Sequence, residues 1–261
     1  MTNQLLHGKS AIVFGATGNL GRQIVLAFQA HGARVHASAL RPDALSDITD
    51  LASVQRVDAL DEQEVETYVA QVASQEGGID VVINAATTNP AEYGHGLAAT
   101  EVTLEQFMIP LRTATATQFV TAKAAFSHMR DKRRGAIVFL TSTLAKVGSP
   151  WSPALSASHA GTEGLMRSLA NEWGPEGVRV LGVRAEAMPE SPAIKHTFTA
   201  MGRQMGLTFD EMAEYITQNR TALKRLPPAS EVAGAVVLAA SDLAANMTGT
   251  IVNYSGGHIL D

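Results

Sequence analysis

Ser10-Ala11-Ile12-Val13-Phe14-Gly15-Ala16-Thr17-Gly18-Asn19-Leu20-Gly21 is the stretch on which the reading of this chain turns. Ser10 to Phe14 carries no charge, as expected of a strand buried on both faces in a parallel sheet. Glycines follow at once, and a helical pattern runs from Asn19 to His31 with Ile24, Leu26, Ala27 and Phe28 on its apolar stripe. The order strand, glycine turn, helix gives each glycine a physical task. Gly15 permits a tight turn, Gly18 lets a pyrophosphate approach the backbone, and Gly21 lets the helix pack closely on the strand. The pyrophosphate would rest on the free amides of the helix's first turn. Gly15, Thr17, Gly18, Asn19, Leu20 and Gly21 are therefore candidate dinucleotide-binding residues; the alternative is a glycine-rich turn without a ligand.

Outward from this unit, apolar runs of strand length alternate with longer helical patterns, which predicts a doubly wound α/β fold with helices on both faces of a parallel sheet. Strands are expected at 34–39, 54–57, 79–83, 136–140, 178–183 and 249–253. Asp61 and Thr103 with Gln106 open helices by their capping pattern, and Pro110 should interrupt the second of these. A long helix spans 153–173, and Ser230 is read as the cap of the last helix. Residues 1–261 show no internal boundary; the segment 189–228 departs from the sheet pattern and is expected to form a substrate lid.

Composition narrows the function classes. Net charge is −5 without a basic stripe, which argues against nucleic acid. No apolar run approaches the roughly 18–20 residues of a membrane-spanning helix, and Met1 to Ser10 lacks a signal-peptide core, so a cytoplasmic protein is expected. The absence of cysteine removes disulfides and thiolate chemistry, and the eight histidines show no metal-binding spacing.

At the end of the second strand, Val35-His36-Ala37-Ser38-Ala39-Leu40-Arg41 offers no carboxylate for a ribose 2′-hydroxyl. Ser38 and Arg41 suit a 2′-phosphate, so NADP is expected over NAD, although NAD remains open and Arg41 has an equal reading as a solvated loop residue.

The glycine turn, Val57-Asp58-Ala59, Asp80-Val81-Val82-Ile83-Asn84-Ala85-Ala86, Gly135 to Ser142, Ala160 to Leu169, Gly174 to Val180, Met247-Thr248-Gly249-Thr250 and Gly256-Gly257 occur in an order that resembles the short-chain dehydrogenases/reductases over most of the chain. The resemblance implies a sheet of seven strands, adenine contact through Asp58 and Ala59, cofactor contact through Asn84, Ala85 and Ala86, and assembly into a homodimer or homotetramer. It also implies a catalytic Ser, a Tyr-x-x-x-Lys pair and a supporting Asn. Ser142 matches the Ser, but Leu155 and His159 stand where the Tyr and Lys are expected, and Ala114 falls near the Asn position. Ala185-Glu186 replaces the family's Pro-Gly, and Glu190 or Ser191 its following Thr.

The candidate catalytic residues are Ser142, His159, Tyr93 and Glu186. His159 lies one helical turn after Leu155 and, titrating near neutrality, suits an acid, a base or a ribose ligand, or else a buried structural role. Tyr93 sits beside His95 in a glycine-rich loop; Tyr215 and Tyr254 are further possible donors. Met188, Met201, Met205 and Met212 cluster around the expected lid. Three readings follow: an atypical nicotinamide-dependent oxidoreductase acting on a small, mostly apolar carbonyl or alcohol, a non-redox cyclase, lyase, dehydratase or isomerase, or a non-catalytic protein sensing a dinucleotide or metabolite.

Overall fold

In the computed structural model, which describes residues 4–260, the apolar runs become the strands of one parallel sheet. The chain runs β1 (Ser10–Phe14), α1 (Asn19–Ala30), β2 (Arg34–Ala39), β3 (Ser53–Arg56), α2 (Glu62–Glu76), β4 (Val81–Asn84), α3 (Leu104–Pro110), α4 (Thr117–Arg130), β5 (Gly135–Ser142), α5 (Pro153–Trp173), β6 (Val178–Ala185), α6 (Pro192–Met205), α7 (Phe209–Arg220), α8 (Ala229–Ala240) and β7 (Ile251–Tyr254). The seven strands lie in the order β3-β2-β1-β4-β5-β6-β7. Every neighbouring pair is parallel. The expected doubly wound architecture is thus the observed one. Strand order reverses between β1 and β4, and the crevice beyond their carboxyl ends is where such sheets bind ligands.

Alternation along β1 divides the core. Ala11 and Val13 face one side, against Ile24, Val25 and Phe28 of α1 and Val232 and Val236 of α8. Ile12 and Phe14 face the other, against Val65 and Val69 of α2, Val120 of α4 and Met166 of α5. Burying a side chain the size of Phe14 or Phe28, both fully enclosed, stabilises the fold by about 1.5–3 kcal/mol, so the first βα unit is anchored by its hydrophobic contacts as well as its turn.

Two helix starts form as the sequence predicts. Asp61 accepts from the Glu64 amide at 3.0 Å, and Thr103 and Gln106 make a complete capping box. Pro110 ends α3, as expected, and the α-helix resumes at Thr117, but the chain does not leave the helix path: residues Leu111–Ala116 form a π-helical turn that carries the axis from α3 into α4. A proline removes one amide, and a wider turn absorbs the mismatch without breaking that path. Ser230 does not cap α8. Pro228 occupies the cap, and the Glu190 carboxylate accepts from the Ala229 amide at 2.6 Å, a cap supplied from a distant loop.

The segment 189–228 forms α6 and α7, whose Phe198, Met201, Met212 and Ile216 make a separate apolar cluster with Trp151, Ile194 and Phe209. Of the four methionines expected there, Met201 and Met212 are buried in that cluster, Met188 packs on the main core, and Met205 is exposed. Among the described residues no helix is long and apolar enough to cross a membrane.

Candidate active site

The turn after β1 is built by backbone. Gly15 adopts φ +67°, and a Cβ there would stand 2.4 Å from the Ala86 nitrogen. A Cβ on Gly21 would stand 2.3 Å from the Gly15 oxygen, so helix, turn and the β4 exit are in contact. Gly18 differs: it has an ordinary φ, and its Cβ would meet nothing closer than 3.4 Å. It caps α1 with no side-chain hydrogen bond, which leaves the first-turn amides open. The β4 exit is held by Asn84, whose Oδ1 accepts from the Ala86 amide at 2.8 Å while its carbonyl accepts from Gln118 at 2.9 Å. Asn19 Nδ2 and Asn84 Nδ2 are buried donors without a partner. Open amides and orphaned donors around the crevice suit an oxygen-rich ligand, so the residues present fit a dinucleotide.

Farther along the crevice, Ser38 is fully buried with its Oγ unpartnered, whereas Arg41 is exposed and has no ion-pair partner among the described residues. Asp58 accepts from the Leu60 amide at 3.0 Å, beside the buried Ala59.

A cavity of about 270 Å³ begins at Gly18, Asn19 and Leu20, passes Asn84, Ala85 and Ala86, and ends beneath α6 and α7. All four candidate catalytic residues, Ser142, His159, Tyr93 and Glu186, border it. Gly15, Thr17, Gly21, Ser38, Arg41, Asp58 and Ala59 do not; they shape the crevice from behind or lie toward its far end. Tyr215 and Tyr254 are also outside it: Tyr215 is exposed, and Tyr254 donates to Glu231 at 3.4 Å.

Ser142 ends β5 beside Ala185 of β6, and its Oγ accepts from the Leu144 amide at 3.2 Å. Leu155 and His159 border the cavity from successive turns of α5, opposite Ala114 of the π-helical turn. That turn is fastened to α5: Ser158 donates to the Pro110 carbonyl at 2.9 Å, and Thr115 meets Ser158 at 3.0 Å and Thr162 at 3.2 Å. A π-turn rotates the following residues relative to an α-helix, so the irregularity sets which side chain faces Leu155.

The electrostatics correct one expectation. Desolvation lowers the His159 pKa to about 4, with Glu163 one turn further on opposing the shift, and Nδ1 is buried without a partner. His159 is therefore a neutral imidazole at physiological pH instead of a group titrating near neutrality. Tyr93 is buried and its pKa raised by desolvation, so it holds its proton. Its ring meets His95 edge to face at 5.8 Å. His95 is lowered to about 4 by desolvation and, secondarily, by His196; its Nε2 lies 3.3 Å from Ser152 Oγ. Glu186 has both oxygens engaged, one by the Ala187 amide at 3.0 Å and the other by His258 Nδ1 at 2.5 Å.

Three features escaped the sequence reading. His258 as partner of Glu186 had no local signal. Arg184 carried one, a charge in the mostly apolar β6, whose other charge is Arg179; it makes a two-pronged ion pair with Glu163, at 2.8 and 2.9 Å, beside Thr141 of the cavity wall. Arg220, at the end of α7, borders the cavity.

The family described as Enoyl-(Acyl carrier protein) reductase matches residues 15–258. The L-rhamnose 1-dehydrogenase (NAD(P)(+)) of Sphingomonas sp. is 28% identical over 97% of this chain and 97% of its own. The 3-oxoacyl-[acyl-carrier-protein] reductase of Escherichia coli is 28% identical over 96% and 97%. A crystal structure described as ribose-5-phosphate isomerase from Brucella melitensis superimposes with a TM-score of 0.83 at 26% identity, over 97% of this chain and 93% of that one.

Proposed function

Because this chain belongs to the short-chain dehydrogenase/reductase family, we propose that it is an oxidoreductase of small, mostly apolar carbonyls or alcohols in which a non-standard group handles the proton. The observation that carries this reading is the continuity of one cavity from the uncapped first turn of α1 to Ser142. Gly18, Asn19 and Leu20 would hold the pyrophosphate, with Asn84, Ala85 and Ala86 along the opposite wall. Bound there, a nicotinamide dinucleotide would supply or accept the hydride. NADP is preferred over NAD in this reading because Arg41 is exposed and uncompensated while no acid ends β2. Asp58 and Ala59 would meet the adenine.

Ser142 would orient the substrate oxygen from the end of β5. His159, neutral, is suited to hydrogen-bond a ribose and unsuited to lower a neighbour's pKa by charge, the role of the family's Lys. The proton would pass instead through a group that keeps it at neutral pH. Tyr93 and Ser142 are such groups, and Glu186, held from behind by His258, is the remaining acid–base candidate on the cavity wall. Residues 189–228, as α6 and α7, would act as the lid that excludes water. We infer a single domain working as a homodimer or homotetramer in the cytoplasm.

One observation favours a second reading. Leu155 exchanges no proton and His159 carries no charge, so the same cavity could serve a non-redox isomerase, lyase, dehydratase or cyclase. Two measurements separate the readings. Calorimetric titration with NADPH and NADH tests the cofactor, and a panel of small ketones followed by cofactor absorbance tests redox turnover. Absence of binding for both cofactors sinks the proposal, and substrate consumption at constant NADPH selects the second reading.

A further inference from the structure

Arg220 is the one Lys or Arg side chain that borders the cavity among the described residues. Its root is fixed: the Leu223 amide donates to the Gly256 carbonyl at 3.0 Å, which docks the end of α7 on the segment after β7. Its head is nearly free. Nη1 meets Ser149 Oγ at 3.4 Å, and among the described residues no carboxylate lies within ion-pairing distance. A guanidinium presents five donors in a planar fork, so four remain available. An arginine in the last turn of a helix usually serves that helix's own carbonyls. Here Lys224 does so instead, through the Gln218 carbonyl at 2.5 Å, while Arg220 turns toward the cavity.

The rest of the wall leaves this charge unanswered. Tyr93 holds its proton, and His95 and His159 are neutral. Glu186, the single acid on the wall among the described residues, has its oxygens committed to Ala187 and His258. Ile216, one turn before Arg220, and Ile194, Phe198 and Met201 of the same cavity are apolar, and a wall of low polarity strengthens any charge pairing formed there. One uncompensated, partly buried cation in a mainly apolar pocket selects a ligand with one anionic group on a mainly apolar body.

We propose that Arg220 is a specificity-determining residue that receives a carboxylate of the substrate, with Ser149 steadying the guanidinium. The proposal rests on the oxidoreductase reading of this cavity and narrows its substrate class from apolar carbonyls to those that also carry an acid group.

The test uses the full chain with saturating NADP and two isosteric probes, 4-oxocyclohexanecarboxylate and its primary amide. Ketone with oxidised cofactor cannot turn over, so calorimetry reads binding alone. The acid should bind at least about tenfold more tightly than the amide, the usual value of a charge-assisted hydrogen bond. Arg220→Met should weaken the acid by about tenfold to a hundredfold, and leave the amide and NADP within about twofold. Arg220→Lys should restore part of the preference, because charge returns without the fork. Equal binding of acid and amide overturns the proposal. So does an Arg220→Met effect on NADP instead of the acid, which would assign the arginine to a cofactor phosphate. If NADP fails to bind while the acid preference persists and vanishes in Arg220→Met, the redox reading falls and the carboxylate receptor stands.

Discussion

Replacing single glycines in the first βα turn separates the backbone's needs from the ligand's. Gly15→Ala asks a side chain to sit at φ +67° and to place a Cβ 2.4 Å from the Ala86 nitrogen. The left-handed conformation costs about 1–2 kcal/mol and the forced shift of backbone about 1–3 more, together about 2–5 kcal/mol. At about 2.1 cal/mol/K per residue, 261 residues give an unfolding entropy near about 0.55 kcal/mol/K, so Tm should fall by about 4–9 °C. Gly18→Ala asks for nothing comparable. Its φ is −67° and the nearest atom to a new Cβ is the Gly15 oxygen at 3.4 Å, so stability should change by less than about 1 kcal/mol and Tm by less than about 2 °C. A methyl group at the uncapped helix start would nevertheless hold a pyrophosphate off the amides, and losing one charge-assisted hydrogen bond weakens binding by about tenfold to a hundredfold. Scanning calorimetry of the ligand-free variants, at fixed protein concentration, gives the first pair of numbers, and NADPH titration of Gly18→Ala gives the third. A Gly18→Ala protein that melts normally and binds NADPH within about twofold of wild type would refute the assignment of this turn to a pyrophosphate.

Three further outcomes follow from the same geometry. His95 and His159 are both lowered from 6.5 to about 4, so the folded state binds fewer protons than the unfolded state between those values. Stability is therefore complete above pH 6.5 and falls as pH drops toward 4, by up to about 3 kcal/mol for the buried His95 and by less for the half-buried His159; urea unfolding at pH 7 and pH 5 should show a smaller loss in His95→Gln than in wild type. Leu155→Tyr combined with His159→Lys rebuilds a charged proton relay against Ser142, and ketone reduction by NADPH should rise at least about tenfold with NADPH affinity unchanged; an unaltered rate places the proton donor elsewhere on the wall. Arg41→Ala should weaken NADPH by about tenfold and leave NADH alone; parallel losses for both would return Arg41 to the solvated loop.

How much of this was legible in the sequence depended on what each feature is made of. The parallel sheet, the glycine turn and the caps at Asp61 and Thr103 are local patterns, since a strand's uncharged run or a capping residue is complete within a few positions. The interruption at Pro110 was legible but its π-turn was not, because the support evident for it, the Ser158 bond to the Pro110 carbonyl, comes from a helix 48 positions away. Ser230 was misread for the same reason, with Glu190 supplying the acceptor across 39 positions. The side chains around the cavity follow this rule strictly. That Ser142, Tyr93, His159 and Glu186 border the cavity was legible because each sits at a predicted strand end, loop or helix turn, whereas Arg220 and His258 depend on how α7 and the tail after β7 dock.

The ionisation state of His159 belongs to the same class and carries the larger consequence. Sequence spacing places an imidazole one turn beyond Leu155, but only burial decides whether it is charged. With Nδ1 enclosed and no partner, desolvation holds the pKa at about 4, and the ring stays neutral at pH 7. Glu163, the nearest opposing influence, is already committed to Arg184 through two hydrogen bonds, so its field at His159 is largely compensated. A group in that state can donate or accept one hydrogen bond but cannot act as a fixed positive charge. Under the oxidoreductase reading, charge stabilisation beside the dinucleotide must then come from the open amides of α1, while the substrate's own charge is left to Arg220 at the opposite end of the cavity.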